Sequence, residues 1–293
     1  MRIGIDVGGT KLLGVALAAD GSVAARRRVP TPPRVDEFVN ALIDLVDALG
    51  PATSLGIGVP GLVSADGTVR ASAHLAEVRN VPLGAILRRR LAPVGLDEVM
   101  VIDNDATATT IAEWQLGAGR GVDDLVVVTF GTGIGGGFVF GGRVYRGANG
   151  HAGELGHVVV EADGRSCACG RRGCWERYAS GTALADTAGC VTGEEAIAAY
   201  RSGDRRATDA FEELTRWIGI GLANLVNALD PSRIVVGGGL VSLGEDLLEP
   251  ARAQLSATLY QTDHRAIPPV VAAELGAEAG AVGAALLPAF VHA

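Results

Sequence analysis

Lysine is almost missing from this chain: of 25 basic residues only Lys11 is a lysine, and every other one is arginine. Aromatic residues make up 4% of the composition and the formal net charge is -8, so a broad basic face studded with stacking rings, as nucleic-acid binding requires, is not expected. No apolar run reaches the roughly 18 residues of a membrane span. The N-terminus carries Arg2 but then alternates Gly, Asp and Gly, which lacks the apolar stretch of a signal peptide. Only four cysteines occur, three of them between 167 and 174. They read as thiols in a reducing compartment, and a cytoplasmic protein without membrane or nucleic-acid partners is the expectation. There is no low-complexity tail.

What is present is length, glycine and periodicity. The 293 residues exceed the usual size of one domain, and two α/β domains sharing a central cleft are expected. Strands are predicted near 3–7, 12–18, 23–29, 55–59, 99–103, 125–130, 137–140, 143–145, 156–160, 233–237 and 269–273. Helices are predicted near 36–49, 83–91, 105–116, 193–200, 208–229, 245–258 and 277–289. The first helix places Phe38, Val39, Leu42, Ile43, Val46 and Leu49 on one face and stops at Gly50. Asp230-Pro231 ends the helix through Trp217. Residues 1–103 with a C-terminal helix at about 279–293 are read as a smaller domain, and 104–278 as a larger one.

The stretch GIDVGGTKLL, residues 4–13, superficially resembles a P-loop. It lacks the Gly-x-x-x-x-Gly-Lys-Ser/Thr frame, and after Lys11 it continues into a second strand rather than a helix. The same plan returns later. Residues 3–24 run strand, Gly8-Gly9-Thr10, strand, Asp20-Gly21; residues 125–145 run strand, Gly131-Thr132-Gly133, strand, Gly141-Gly142 and a further strand. Taken singly, either turn reads as an ordinary tight hairpin. Two of them, each opening half of the chain, point to backbone N–H groups and a hydroxyl offered to an anion. Farther on, Val99–Asp103 reads as a strand feeding directly into a helix, which places Asn104 and Asp105 where ligands of α/β sheets bind. An Asx helix cap is the plain alternative.

DVGGTK, DND, GELGH and CACGRRGCWE occur in that order, and with them the chain resembles the ROK family (repressor, open reading frame, kinase), above all its bacterial ATP-dependent glucokinases. The resemblance implies the two-domain ribonuclease-H-like (actin/hexokinase-type) fold, with duplicated hairpin and helix units, and phosphorylation of glucose at the 6-hydroxyl. It implies that Asp6, Gly8, Gly9, Thr10 and Lys11, with Thr132 and Gly133, serve ATP, Asp6 acting on Mg²⁺ through water. It also implies that Asp105 is the general base and that Gly238 and Gly239 lie on the adenosine side, where a plain βα turn is the alternative. Sugar contacts fall on Gly61, Asn104, Asp105, Glu154, His157 and Glu176. In isolation, Glu154 and Glu176 read as solvated charges. Relatives often carry Asn-Leu where this chain has His74-Leu75.

Cys167, Cys169 and Cys174 fall within eight residues, with Gly170 and Gly173 between them and His157 ten residues before. Three thiolates and an imidazole complete a structural Zn²⁺ shell with no position left for a catalytic water. A disulfide competes, although a Cys-x-Cys pair bridges poorly and leaves an odd partner. Cys190 reads as a small core side chain. Other hexoses, such as N-acetylmannosamine or fructose, remain open as substrates. A sugar-responsive regulator is the reading from another class; its helix-turn-helix has no room before Gly8. The resemblance further implies a homodimer or homotetramer.

Overall fold

The computed structural model describes residues 1–72 and 77–290; His74 and the last three positions of the predicted C-terminal helix lie outside them. The chain begins with the meander β1 (Arg2–Val7), β2 (Lys11–Leu17) and β3 (Val23–Pro30). There follow α1 (Val35–Leu49), β4 (Ser54–Val59), a small hairpin of β5 (Leu62–Val63) and β6 (Val69–Ala71), α2 (Leu83–Leu91), β7 (Met100–Asn104) and α3 (Asp105–Leu116). A second meander, β8 (Leu125–Phe130), β9 (Ile134–Phe140) and β10 (Arg143–Tyr145), opens the next series. It continues through α4 (Glu176–Ala179), α5 (Gly181–Ala188), α6 (Gly193–Arg201), α7 (Arg205–Leu229), β11 (Arg233–Gly237), α8 (Glu245–Thr258), β12 (Val270–Ala272) and α9 (Ala279–Leu286).

The two large sheets have one topology. Their strand orders are β3-β2-β1-β4-β7 and β10-β9-β8-β11-β12, so in each an antiparallel meander is extended by two strands reached through crossovers. Helices cover those crossovers because parallel neighbours cannot be joined by a tight turn. The chain divides into two compact units, Met1–Gly121 with Gly137–Gly153 and Leu275–Ala293, and Val122–Gly136 with Glu154–Glu274. The first unit includes α3, which the sequence reading placed in the larger domain. The reason is packing: Ala108, Ile111 and Ala112 of α3 share one buried cluster with Ala281, Val282 and Ala285 of α9.

In the first unit the sheet is buried on both faces. Ile3, Ile5, Val7, Leu55, Ile57 and Val59 join Phe38, Leu42, Leu45 and Leu49 of α1. Leu45 takes the fully buried place the periodicity gave to Ile43, which is partly buried. The opposite face is built by glycine. A Cβ on Gly4 would stand 2.0 Å from the Ala281 carbonyl oxygen, and one on Gly56 1.7 Å from that of Ala284. Helix α9 therefore lies against backbone rather than side chains, a distance no larger residue on β1 or β4 allows.

The second unit has the parallel strands β8, β11 and β12, and β8 is a run of Leu, Val, Val, Val, Thr and Phe as expected for a strand covered on both faces. Helix α7 is capped by Asp204, whose side chain accepts the Ala207 N–H at 2.9 Å, and ends at Asp230 in the left-handed region before Pro231. The predicted strand over 156–160 does not form. Leu155–His157 makes a 3-10 turn, and Val159 then makes a single bridge to Cys174. The loop of crowded cysteines offers no long extended partner. Helices α4 and α5 escaped the sequence reading, since GTALADTA carries too few large apolar residues to show a helical period.

Candidate functional site

In the first unit the turn after β1 is closed by the Gly8 N–H donating to the Lys11 carbonyl at 2.9 Å. Thr31, the residue after β3, donates its hydroxyl to Gly8 O at 2.7 Å and its N–H to Thr10 O at 3.1 Å. Thr31 thus holds the turn from its carbonyl side. Gly8 is required by crowding: its Cβ would meet the Lys11 carbonyl oxygen at 2.9 Å.

Asp6 is the side chain that β1 presents on the face approached by α9. Its register neighbour on β4 is Gly58, where a Cβ would stand 3.2 Å from the Asp105 Cα. A Cβ on Gly280 of α9 would stand 2.7 Å from the Asp6 carboxyl carbon. Gly280 thus leaves room for the Asp6 carboxyl group and Gly58 lets the start of α3 approach β4, and the sequence reading missed both. Burial, then the charge of Asp105, push the Asp6 carboxyl up to about 7, and Lys11 pulls the other way. Two nearby carboxylates with one lysine leave uncompensated negative charge among hard oxygen donors. That is the chemistry of a Mg²⁺ site, and Asp6 fits it.

Asn104 and Asp105 stand at the junction of β7 and α3. The Asn104 side chain is the helix cap: its Oδ1 accepts the N–H groups of Ala106 at 2.9 Å and Thr107 at 3.0 Å, and its Nδ2 donates to Gly61 O at 3.1 Å. Gly61 has φ +101°, and a Cβ there would fall 2.1 Å from the Ala71 carbonyl oxygen. The plain reading of Asn104 as a cap is correct, and it links Gly61 to the first turn of α3. Asp105 is the first residue of that helix, where the macrodipole favours a negative charge.

In the second unit, Thr182 donates its hydroxyl to Thr132 O at 2.7 Å and the Gly181 N–H donates to Gly131 O at 2.8 Å, so the turn after β8 rests on the start of α5. Gly238, at φ +85°, passes the end of β8 so closely that a Cβ would meet Phe130 O at 2.4 Å. Gly239 has open space around it. The predicted nucleotide residues of this unit are thus gathered at the ends of β8 and β11.

Glu176 reaches the same turn from the other side, for a Cβ on Gly133 would stand 2.9 Å from Glu176 Oε2. Its other oxygen lies 3.1 Å from Cys167 Sγ and 3.6 Å from His157 Nδ1. Trp175 fixes this residue's place: the indole donates to Trp217 O at 2.8 Å, meets Phe130 edge-on at 5.5 Å, and fits only because Gly221 has no side chain. Glu154 begins the turn that ends at His157, whose N–H donates to Glu154 O at 3.1 Å.

His157, Cys167, Cys169 and Cys174 converge, one ligand atom from each lying within 4.8 Å of the others. Cys169 and Cys174 Sγ are 3.6 Å apart, and Cys167 Sγ is 3.9 Å from His157 Nδ1. These two separations are close to the edges, ~3.5–3.8 Å, of a tetrahedron whose sulfurs stand at ~2.3 Å and whose nitrogen stands at ~2.0 Å from Zn²⁺. All four cysteines are free, no pair of them being bonded. Gly170 and Gly173 turn the loop with φ +86° and +76°. Burial is the largest influence pushing the Cys167 thiol up to about 12 and also raises Cys174. At Cys169, by contrast, desolvation is outweighed by hydrogen bonds from the Arg171 backbone and the two neighbouring sulfurs, which lower it. A dication is the partner that displaces the protons of the raised thiols.

The ROK family model matches residues 2–289. A glucokinase of Streptomyces coelicolor is 35% identical over an alignment covering 97% of this chain and 96% of that protein. An N-acetylgalactosamine kinase of Shewanella sp. (strain ANA-3) is 33% identical, covering 98% and 96% respectively. The crystal structure of a ROK family glucokinase from Streptomyces griseus, in complex with glucose and AMPPNP, superposes with a TM-score of 0.87 at 37% identity over 98% of each chain.

Proposed function

Because this chain belongs to the ROK family and shares the actin/hexokinase-type fold of its sugar kinases, we propose that it is an ATP-dependent hexose kinase that phosphorylates glucose at the 6-hydroxyl. The observation that carries the reading is the carboxyl of Asp105 at the start of α3, electrostatically coupled to Asp6 beside the Gly8–Lys11 turn.

A sugar hydroxyl is a poor nucleophile, and phosphoryl transfer depends on holding it in line with the γ-phosphate while charge is stabilised. Asp105 orients the 6-hydroxyl and takes its proton as the oxygen attacks phosphorus. The bond to the β,γ-bridging oxygen breaks, and ADP leaves with the electron pair. Amides of the Gly8–Lys11 and Gly131–Gly133 turns meet the phosphate oxygens, and Gly238 and Gly239 border the nucleoside. Asp6 would hold Mg²⁺ through water, and the ion, when bound, supplies positive charge to the transferring group. His157, Cys167, Cys169 and Cys174 would hold Zn²⁺ as a closed structural shell. His157 Nδ1 faces the cysteines, which leaves Nε2 for a sugar hydroxyl, with Glu154, Glu176, Asn104 and the Gly61 backbone as further partners. Vicinal hydroxyls each need such a partner once desolvated.

The kinship with an N-acetylgalactosamine kinase at 33% identity supports a second reading, an N-acetylhexosamine as acceptor. Coupled ADP release with glucose, fructose, N-acetylmannosamine and N-acetylgalactosamine separates the two. Highest kcat/KM with glucose is the expected result, and sugar-independent or absent turnover would refute the kinase assignment. Light scattering tests the homodimer or homotetramer that the resemblance implies.

A further inference from the structure

The residue before the Asn104-Asp105 pair is itself a junction. Asp103 is 8% exposed. Its Oδ1 accepts the backbone N–H of Asn104 at 2.8 Å, and its Oδ2 accepts Arg146 Nε at 2.7 Å. Arg146 follows β10 directly. Its Nη1 donates to the Phe290 carbonyl at 3.1 Å, and its own carbonyl accepts the Ala152 N–H at 3.0 Å. Its Nη2 is buried and has no hydrogen-bond partner among the described residues.

A mostly buried ion pair of this kind is a weak source of stability. Desolvation offsets its attraction, and an apolar pair of similar volume is often as stable or more so. The donor left over on Arg146 adds to the cost. What the pair does achieve is geometric. It ties the Asp103–Asn104 peptide to β10 and to the Phe290 backbone. Asn104 is in turn tied to Gly61 and to the first turn of α3. The backbone on both sides of Asn104 is therefore anchored, and Asp105 is the next residue along.

We propose that Arg146, acting through Asp103, is a positioning residue that holds the Asn104-Asp105 segment in register, so that the Asp105 carboxylate stands at the hydroxyl it activates. The proposal rests on the kinase reading above. Displacement of a catalytic group by about 1 Å costs on the order of 10²-fold in rate, so an effect on turnover larger than any effect on substrate binding is its signature.

The test uses the full chain with Arg146→Met, Asp103→Asn and the double variant, reading kcat, the KM for ATP and the melting temperature. Arg146→Met is expected to lower kcat about 10- to 100-fold while the KM for ATP stays within about twofold. The double variant is expected to be no slower than the slower single, because both changes break one link. A kcat within twofold of wild type in Arg146→Met, or losses that multiply in the double variant, overturns the proposal. Should Arg146→Met fail to fold, the same limits applied to Asp103→Asn decide. Should the wild-type protein phosphorylate no hexose, the kinase reading falls, and hydrogen exchange over 104–107 decides the clamp: at least tenfold faster exchange in Asp103→Asn supports it, and unchanged exchange overturns it.

Discussion

In the first sheet the residue two places before the hairpin turn is Asp6; in the second it is Thr129. The two positions match in detail. Asp6 pairs with Gly58 on the adjoining parallel strand, and Thr129 pairs with Gly237. Each neighbouring strand then runs into a glycine at positive φ, Gly61 or Gly238. The surroundings differ. Asp6 is pressed by a glycine of α9 and feels the charge of Asp105, whereas the turn after Thr129 is met by Glu176 and lies beside the cysteine cluster. On the proposed function, one duplicated scaffold would carry acid–base and Mg²⁺ chemistry on one copy and a metal-braced set of hydroxyl partners on the other. The difference resides in what packs against each turn.

The comparison breaks hardest at Asp105. Asp105→Asn is expected to lower kcat about 10²- to 10⁴-fold while sugar affinity by calorimetry is retained; near wild-type kcat would remove Asp105 from its role. On the second copy, Cys169→Ser or removal of Zn²⁺ by chelation is expected to lower the melting temperature and raise the sugar KM about tenfold or more, as losses in metal-supporting residues do. Unchanged sugar affinity in protein shown to be zinc-free by elemental analysis would separate the cluster from the sugar site.

Smaller changes sharpen the contrast. Gly280→Ala pushes a methyl into Asp6 and is expected to destabilise by about 1–3 kcal/mol, read as a lower denaturation midpoint. Asp6 has a folded-state value of about 7 against 3.8 in the unfolded chain. The folded protein therefore keeps a proton that the unfolded chain has lost between those values. Its stabilising contribution is full below pH 3.8 and is lost as pH rises through 7. In Mg²⁺-free buffer at pH 8, Asp6→Asn is expected to gain about 1–2 kcal/mol, less than the full shift implies because Asp6 is only partly buried, and to lose turnover. Lys11→Arg is expected to change kcat least, within about threefold, because on the proposed function the turn's backbone amides would carry most of the phosphate contact; a tenfold loss would make the lysine itself a participant.

Much of this arrangement is legible in the order of residues. Both hairpins, the helix beginning at Asp105 and the Cys-x-Cys loop follow from glycine spacing, apolar periodicity and ligand chemistry. Gly58 and Gly280 were not legible, because their meaning depends on which backbone approaches them after folding. Trp175 is visible in the sequence only as a letter of CACGRRGCWE, yet its packing into the space at Gly221 sets where Glu176 stands. Arg146 is one of many arginines in the chain, and nothing in its neighbours announces a partner 43 residues away. The apolar run at 156–160 predicts a strand, but the cysteine loop leaves room for one bridge.

The α9 face of the first sheet has a consequence for biosynthesis. Leu13, Val15 and Leu17 share their buried cluster with Ala281, Val282 and Leu286, so the wall that completes an early-emerging sheet is translated roughly 260 residues later. At ~5–20 residues per second that interval is roughly 13–50 s, during which one greasy side of the nascent meander has no lid of its own. A ribosome-bound chaperone that shields this side until α9 arrives would be expected to raise the yield of soluble protein.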